Sequence, residues 1–309
     1  MILCCGEALI DMIPTPVKGG AGVGFVPHCG GAVFNTAVAL GRLGAPVAML
    51  TGLSRDMFGT QLAAALRESR VQSTHLIFSD RPTTLAFVRM VNGQARYHFY
   101  DENSAGRMVF AHQVPALPQS VRAMYFGGIS LACEPCGEFY AAALEQHGKG
   151  RVVMIDPNVR PAFIADEARY RARLAGMVRQ ADIVKLSDED MGWLFPQAAS
   201  EAEAAALLLR EGAAVVILTR GGSGATAFLS GGQRVESPPQ PVKVVDTVGA
   251  GDSFSAAVLA KLHELDLLSK SRLRKISAPA VGAALSYGTQ VAALTVGRAG
   301  CNPPWAHEL

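Results

Sequence analysis

Residues 246–254 read Asp-Thr-Val-Gly-Ala-Gly-Asp-Ser-Phe, and the interpretation of the whole chain starts from this stretch. Residues 255–265 follow it with a composition typical of a helix, including several alanines and leucines. The small residues at positions 249–251 let their backbone N–H groups approach a ligand closely. Free amide donors and the helix dipole favour a negative charge at a helix start. The stretch therefore predicts an anion-binding turn that leads into a helix.

Asp252 adds a carboxylate beside this predicted anion site. Such a carboxylate can hold an acceptor hydroxyl next to a phosphoryl group in transfer and can receive the hydroxyl proton. We expect the donors at the helix start to keep Asp252 ionised, which suits late proton acceptance. The alternative is structural: Asp252 would be the N-cap of the helix, and the glycines would be ordinary loop residues.

Length and composition limit the classes of protein to which the chain can belong. With 309 residues, 50% of them hydrophobic and 17% charged, the chain can bury a large α/β core. It has no apolar run of the roughly 20 residues that span a bilayer, and residues 1–11 predict a first core strand instead of a signal peptide. Its formal net charge of +2 is scattered, which argues against a nucleic-acid surface. We therefore expect a cytoplasmic protein that binds neither membranes nor nucleic acids.

Among the six cysteines, Cys133 and Cys136 have the CxxC spacing of a redox pair or of half a zinc site. No second pair or nearby histidine cluster completes a metal set, and Pro135 lies inside the spacing. Reduced, mostly buried thiols are the expected state. The redox or zinc alternative stays open at this point.

Short apolar segments alternate with helical segments over most of the chain. The predicted strands occupy residues 2–5, 47–51, 123–126, 152–155, 183–186 and 215–218. The predicted helices occupy residues 32–43, 60–70, 137–147, 169–180 and 201–210. This alternation indicates an α/β fold in which helices cover both faces of a mostly parallel sheet. Since no linker or repeat divides the chain, residues 1–309 are expected to form a single domain.

Residues 12–27 and 82–101 have a different character. The first segment is rich in Pro and Gly and predicts only short extended pieces. In the second, two runs of alternating polarity flank Asn92-Gly93, which is a strong signal for a two-residue hairpin turn. We expect the two segments to form a small β sheet that acts as a lid. The alternative is an edge hairpin of the main sheet.

Polar or glycine-rich clusters directly follow the predicted strands. In an open α/β sheet, ligands bind in the crevice outside the carboxyl ends of the strands, so the topology would gather these clusters at one edge. Loops are polar in any case, and this is the alternative for any single cluster. The clusters are Asp11, Ser54 with Asp56, Asp156-Pro157-Asn158, residues 187–190 and residues 220–224.

Several common signatures of nucleotide and hydrolase sites are missing. The chain has no GxxxxGK[ST] phosphate loop, no GxGxxG after the first strand, and no Gly-x-Ser-x-Gly nucleophile elbow. What remains is an anion site with a base, acidic residues that could hold a metal, and a candidate lid.

The chain resembles the PfkB, or ribokinase-like, family of carbohydrate kinases along essentially its whole length. The strongest likeness is to the DTxGAGD signature, followed by the amino-terminal signature, a GxGxDxFG element in which Ser54 replaces the second glycine, and two segments typical of the fructokinase branch. The matching segments are residues 246–252, Gly30 and Gly31 with Asn35, residues 52–59, residues 6–11 and residues 156–160. The resemblance implies a ribokinase-like three-layer α/β/α fold with a small β lid.

The same resemblance implies roles for individual residues. Asp252 would be the catalytic base, and the anion hole for the transferred phosphoryl group would consist of Gly249, Ala250 and Gly251. The residues implied for sugar binding are Asp11, Gly30, Gly31, Asn35, Phe99 and Arg160. The residues implied for ATP binding are Ser187, Thr219, Gly221, Gly222, Gly224 and Thr289.

Metal ions are implied as cofactors beside ATP. Ser187 and Asp190 occupy the NxxE position of the family, which supports Mg²⁺ through water and the phosphates. Glu189 lies beside Asp190, so the resemblance leaves open which of the two carboxylates serves the ion. The family often uses a monovalent cation next to the anion hole, and the implied K⁺ ligands are Asp246, Val248, Thr295, Arg298 and Gly300.

These residues and the resemblance predict an ATP-dependent sugar kinase that phosphorylates a hydroxymethyl group, with fructose as the expected acceptor. A 2-keto-3-deoxygluconate kinase, a ribokinase and an aminoimidazole riboside or nucleoside kinase stay open, because the implied pocket residues bind hydroxyls generically. A non-catalytic sugar- or nucleotide-binding regulator is the alternative from another class. The resemblance also implies a homodimer formed through the lid.

Overall fold

The computed structural model of the protein describes residues 1–17, 19, 22–91 and 94–309, without the side chains of residues 89–97. The predicted turn Asn92-Gly93 therefore lies outside the described residues. The described strands are β1 (Ile2–Cys5), β2 (Leu9–Pro16), β3 (Val23–Gly30), β4 (Val47–Ser54), β5 (Gln72–Ser79), β6 (Leu85–Val91), β7 (Gln94–Tyr100), β8 (Ala123–Gly127), β9 (Val152–Asp156), β10 (Ile183–Ser187), β11 (Val215–Thr219), β12 (Ala225–Leu229) and β13 (Arg234–Ser237). The described α-helices are α1 (Ala32–Arg42), α2 (Met57–Glu68), α3 (Cys136–His147), α4 (Glu167–Val178), α5 (Asp188–Leu194), α6 (Glu201–Arg210), α7 (Ala250–Glu264), α8 (Lys270–Leu273) and α9 (Ala278–Val296).

The main sheet of the described residues has nine strands in the order β13-β12-β11-β10-β9-β8-β1-β4-β5. Every pairing from β11 to β5 is parallel. The last two strands, β12 and β13, are antiparallel and extend one edge. The prediction of a mostly parallel sheet is confirmed.

Helices cover this sheet on both faces, and alternate strand residues reach different helices. Ile2 and Cys4 of β1 pack in a hydrophobic layer with α1, α7 and α9. Leu3 and Cys5 pack in the opposite layer with α3, α4 and α6. Because both faces are buried, the central strands are apolar at nearly every position, with Asp156 of β9 and Lys185 of β10 as charged exceptions. The three-layer α/β/α prediction is confirmed.

A second sheet has the strand order β3-β2-β6-β7. β2 and β3 pair antiparallel over eight residues each, from Leu9 opposite Gly30 to Pro16 opposite Val23. The expectation of only short extended pieces in residues 12–27 is therefore wrong. Proline is tolerated here because β6 pairs only with residues 10–12 of β2, so the later prolines of β2 need no hydrogen bond to β6.

The helix after the glycine-rich turn begins earlier than predicted. α7 starts at Ala250, not at residue 255, and its N-cap is Gly249 with a positive φ of 77°. Asp252 lies in the first turn of the helix, and the N-cap residue Gly249 makes no side-chain cap hydrogen bond. The structural alternative for Asp252, an N-cap role, is therefore wrong.

Several elements are present that no clear sequence pattern predicted. β5 and β13 are the partly exposed edge strands and β12 pairs between β13 and β11. α9 consists largely of small and apolar residues around its whole circumference. α9 packs on α7, so it supports the helix that begins at the predicted anion site. Edge strands and small-residue helices lack the contrast between apolar and polar faces on which periodicity depends.

Candidate active site

A cavity of about 640 Å³ opens at the carboxyl ends of β10 and β11, beside the N-terminus of α7. It is also lined by residues of α1 and by residues of β2 and β7 in the second sheet. The site therefore lies where parallel α/β sheets generally bind ligands. Not every cluster of the predicted series belongs to it. Asp56 instead caps α2 by accepting from the Gly59 N–H at 2.7 Å, and it binds Thr83 before β6.

Most of the predicted site residues line this cavity. They are Asp11, Gly31, Asn35, Phe99, Arg160, Ser187, Glu189, Asp190, Thr219, Gly221, Gly222, Gly224, Val248, Gly249, Ala250, Gly251, Asp252 and Thr289. Five predicted residues do not line it, namely Gly30, Asp246, Thr295, Arg298 and Gly300. The fold thus gathers positions that are far apart in the sequence around one space.

The turn before α7 presents backbone donors to the cavity. The left-handed conformation of Gly249 reverses the chain so that the first amides of α7 point out of the helix. The Ala250 N–H makes only a long bond of 3.4 Å to the Thr247 carbonyl. Helix geometry leaves the N–H groups of Gly251 and Asp252 without an intrahelical acceptor. This arrangement can hold an anion by amide donors and the positive end of the helix dipole.

Asp252 is buried at the base of this turn, with 7% of its surface exposed. Its Oδ2 accepts a hydrogen bond of 2.9 Å from Asn35 Nδ2 of α1. Burial raises the pKa of Asp252 to about 7, the hydrogen bond from Asn35 lowers it, and the nearby Asp156 carboxylate raises it further. The expectation that the helix start keeps Asp252 ionised therefore applies above about pH 7, because burial disfavours the carboxylate.

Lys185 and Asp156 lie close to Asp252. No role was predicted for Lys185, whereas Asp156 belongs to the cluster at residues 156–158 that was expected at this edge of the sheet. Lys185 is 4% exposed on β10, and its Nζ lies 2.8 Å from Asp156 Oδ2 at the end of β9. The Nζ also lies 3.3 Å from the point that a Cβ on Gly251 would occupy. A lysine inside an apolar strand, Ile183-Val184-Lys185-Leu186, is the sequence signal that could have revealed it.

Asp11 of β2 lies at another wall of the cavity. Burial raises the pKa of its carboxyl group to about 6. Gly30 of β3 packs directly against this carboxylate, so any Cβ at position 30 would overlap Asp11 Oδ2. Gly30 thus acts on the site through Asp11.

Gly31 is the N-cap of α1 and has a positive φ of 105°. Glu7 replaces the missing capping side chain, because its Oε1 accepts from the Ala32 N–H at 2.9 Å. Glu7 is itself buried and lines the cavity, although no role was predicted for it. Glu7 and Gly31 together fix the start of the helix that carries Asn35.

An aromatic contact joins the second sheet to the main body of the protein. Phe99 of β7 meets Phe163 edge to face, with ring centroids 4.2 Å apart. Phe163 belongs to the short 3₁₀ helix Pro161–Phe163, which directly follows the cavity-lining Arg160. The contact places both rings at one wall of the cavity.

Acidic residues follow β10 at the start of α5. The Asp190 side chain is buried and accepts from the Val159 N–H at 2.7 Å, the Ser187 N–H at 3.0 Å and Ser187 Oγ at 2.8 Å. Glu189 is exposed and lines the cavity. Asp190 therefore holds the turn in shape, while Glu189 is accessible to ligands.

The loop after β11 forms another part of the wall. Gly221 and Gly224 have positive φ values of 47° and 85°, and the main chain at Gly224 passes directly against the Ser237 carbonyl. Thr219 Oγ1 donates to the Leu186 carbonyl at 3.3 Å, which ties β11 to β10. Thr289 of α9 is buried with its hydroxyl 3.2 Å from Ser237 Oγ.

The residues expected for a monovalent cation lie together beside the turn. Asp246 Oδ1 accepts from the Val248 N–H and its Oδ2 from the Gly300 N–H, each at 3.0 Å. The Thr295 carbonyl accepts from the Arg298 N–H at 3.1 Å. Asp246 therefore closes the loop before α7 onto the segment after α9.

The cysteines are not arranged as a set of metal ligands at this site. All six are free thiols, and Cys133 and Cys136 are buried. Within the described ranges, no group of three or more His, Cys, Asp or Glu side chains is arranged to hold a metal ion. Within the same ranges, no helix is both long and apolar enough to cross a membrane.

Comparison with known proteins places the chain among carbohydrate kinases. The family model described as pfkB family carbohydrate kinase matches residues 1–308. The chain is 47% identical to a fructokinase of Rhizobium leguminosarum bv. trifolii over 281 residues, which are 91% of this chain and 85% of that protein. It is 31% identical to fructokinase-1 of Oryza sativa subsp. japonica over 316 residues, which cover 100% and 95% of the two chains.

A solved structure has the same fold. The crystal structure of a fructokinase with bound ATP from Xylella fastidiosa superposes with a TM-score of 0.87 at 27% identity. The superposition covers 97% of this chain and 93% of that one.

Proposed function

The chain belongs to the pfkB family of carbohydrate kinases, and we propose from this membership and from the site that it is an ATP-dependent fructokinase. The observation that carries the proposal is the position of Asp252. A buried carboxylate with a pKa near 7 lies at the open N-terminus of α7, within hydrogen-bond distance of Asn35. A base beside an anion site is what phosphoryl transfer to a hydroxyl requires.

Asp252 acts as the base in the proposed reaction. The oxygen of a fructose hydroxymethyl forms a bond to the γ-phosphorus of ATP, the bond from that phosphorus to the bridging oxygen breaks, and ADP leaves. The hydroxyl proton passes to Asp252. A base with a pKa near the working pH combines a useful ionised fraction with a favourable transfer of the proton.

The amides at the start of α7 stabilise the charge of the phosphoryl group during transfer. Positions 249–251 carry small residues, so the backbone can approach the phosphoryl oxygens closely. Preorganised amide donors of this kind are a large source of rate enhancement in enzymes. The transition state is loose, so positioning and charge stabilisation account for most of the catalysis.

Asp11, Gly31, Asn35 and Arg160 hold the sugar in this proposal, with Phe99 covering it. The support is that all five line the cavity that Asp252 also lines. Gly30 contributes through its close packing on Asp11. The second sheet, which carries Asp11 and Phe99, serves as the lid of a single kinase domain and excludes water from the reaction.

ATP lies along the loop after β11 in this proposal, bordered by Thr219, Gly221, Gly222 and Gly224, with Thr289 toward the base and Ser187 toward the phosphates. The carboxylates after β10 fit a Mg²⁺ ion that is held through water and the phosphates, which is how this ion is commonly bound. Glu189 is the better placed of the two candidates, because Asp190 already accepts three hydrogen bonds. Bound Mg²⁺ would neutralise phosphate charge.

Two expectations stay predictions. A K⁺ ion beside the anion hole would use Asp246 with main-chain oxygens near Val248, Thr295, Arg298 and Gly300, whose loops the Asp246 carboxylate joins. A homodimer would form through the lid.

Fructose is favoured over the other sugars by the relatives. The two sequence relatives described above are fructokinases, one at 47% identity and the other spanning the whole chain. The kinases for 2-keto-3-deoxygluconate, ribose and nucleosides are the alternatives that the substrate test must separate.

The test is ADP release from the purified protein with MgATP and a panel of sugars, each with and without potassium. The panel contains fructose, ribose, 2-keto-3-deoxygluconate, glucose, adenosine and aminoimidazole riboside. We expect fructose to give the highest kcat/KM. A higher value for another member would move the substrate assignment and keep the kinase mechanism. No turnover on any member, with binding of sugar or nucleotide retained, would support the regulator instead.

A further inference from the structure

Lys185 is a buried cation at the wall of the active-site cavity. It lies on β10, the strand that ends in Ser187 and leads into α5. Its ammonium group lies 2.8 Å from Asp156 and directly across from the main chain of Gly251. Gly251 has no side chain, so the ammonium can lie close to the main chain at the start of α7.

The ammonium group of Lys185 has hydrogen-bond donors available for a ligand. An ammonium carries three N–H donors, and within the described residues Asp156 is the one acceptor that Lys185 Nζ binds. Since Lys185 lines the cavity, the remaining donors have room for a ligand. Burial lowers the pKa of Lys185, but the carboxylates of Asp156, Asp190 and Asp252 together raise it above its usual value. The side chain is therefore a fixed positive charge.

Asp156 holds this charge in position. Its Oδ2 accepts from Lys185 and from Ser255 Oγ at 3.1 Å, while Oδ1 has no partner among the described groups. Asp156 is fully buried, so the ion pair cannot swing into solvent. Buried ion pairs add little to stability compared with apolar packing, so stability alone gives a weak reason for this pair.

We propose that Lys185 is a further catalytic residue, whose ammonium binds the transferring phosphoryl group at the start of α7. This role depends on the proposed kinase function. The phosphoryl group is anionic and approaches Asp252, itself a carboxylate, so a nearby cation offsets their repulsion. Lys185 and the amides at positions 250–252 would hold the oxygens of the group from two directions.

The first test replaces Lys185 by Met, which keeps the length of the side chain and removes its charge. If Lys185 binds the phosphoryl group in the transition state, kcat should fall by about 100-fold to 1,000-fold, as for the loss of an oxyanion-hole donor. The affinity for fructose, measured by calorimetry without nucleotide, should stay within about threefold, because Lys185 is not among the residues proposed to hold the sugar. Binding of aluminium fluoride with ADP and fructose, a mimic of the transferring group, should be lost.

Lys270→Met is the matched control. Lys270 Nζ forms an ion pair of 2.6 Å with the buried Asp182, which directly precedes β10 at the opposite end of the strand from Ser187. This variant breaks a comparable lysine–aspartate pair away from the cavity. We expect its kcat to stay within about twofold of the wild type, since it touches no reacting group.

A structural role for Lys185 would give a different result. Lys185→Met would then lose thermal stability, fructose affinity and kcat in parallel, or would keep a kcat within about threefold of the wild type. Either outcome overturns the proposal. Lys185→Arg should retain part of the aluminium fluoride binding, because the charge is kept at a changed geometry.

If Lys185→Met does not fold, the proposal is tested on the wild-type protein. A crystal structure with ADP, fructose and aluminium fluoride should place Lys185 Nζ within about 3.2 Å of a fluoride. A distance beyond about 4.5 Å with the Asp156 pair intact would overturn the proposal. The fructokinase assignment is tested separately by the wild-type rate on fructose. If another sugar is the substrate, the ratio of variant to wild-type kcat is measured with that sugar, so the two conclusions can fail independently.

Discussion

Replacing Asp252 by Asn removes the proposed base while keeping the shape of the side chain. The amide oxygen that this substitution introduces can still accept the hydrogen bond that Asn35 donates to Asp252 Oδ2 at 2.9 Å. The change therefore isolates the loss of the proton acceptor. Because general-base catalysis contributes about 100-fold to 10,000-fold, we expect kcat to fall within that range. Fructose affinity should change little.

The same substitution should stabilise the fold at alkaline pH. Burial raises the pKa of Asp252 from 3.8 to about 7, so the folded state disfavours the carboxylate that the unfolded chain tolerates. Since a raised carboxyl pKa lowers stability as pH rises between the two values, the penalty is absent below about pH 4 and complete above about pH 7. At 1.36 kcal/mol for each pH unit, the penalty is at most about 4 kcal/mol.

The measurements are ADP release for kcat, calorimetry for fructose affinity, and urea unfolding at pH 5 and pH 8 for the free energy of unfolding. We expect Asp252→Asn to be less active at both pH values and to gain more stability at pH 8 than at pH 5. Asp56→Ala is the control, because it removes the cap of α2 and should cost about 1 kcal/mol with little change in kcat. A kcat of Asp252→Asn within tenfold of the wild type, or a stability gain that does not depend on pH, would refute the reasoning.

Three further outcomes are expected. The kcat/KM for fructose should rise about tenfold for each pH unit below about pH 7 and level off above it, because Asp252 must be ionised to accept a proton. A kcat/KM that stays flat down to about pH 5 would contradict this prediction. Gly30→Ala should raise KM for fructose by about 10-fold to 100-fold, because the added Cβ displaces Asp11. Gly24→Ala on the same strand has room for a methyl group and should leave KM unchanged. Equal KM values for the two variants would show that Asp11 does not position the sugar. Gly249→Ala should lower the free energy of unfolding by at least about 1–2 kcal/mol, measured in urea, because Gly249 has a positive φ and a Cβ there would overlap Cys301 Sγ. Gly44→Ala, with a φ of 83° and open space around it, measures the conformational part alone, so equal losses in the two variants would exclude the overlap.

The fold class and the centre of the site could be predicted from local sequence patterns. Strands buried on both faces are mostly apolar, so β1, β8, β9, β10 and β11 are visible as short, largely apolar runs. The anion-binding turn is equally local, because Gly249 and Asp252 lie three positions apart in one turn of chain. The second sheet was harder to predict, because its prolines suggest loops until the pairing of β2 with β3 is known.

The chemistry of the base, in contrast, depends on the assembled fold. Asn35 and Asp252 are 217 positions apart, and no local pattern places one beside the other. The pKa of Asp252 depends on how much water the surrounding elements exclude, and the helix start alone gives no measure of that burial. Lys185 and Asp156 become neighbours only because β10 and β9 pair in the sheet. A sequence specifies which groups are available along each strand and turn, whereas distance and burial, which set charge and protonation, arise only when distant segments pack together.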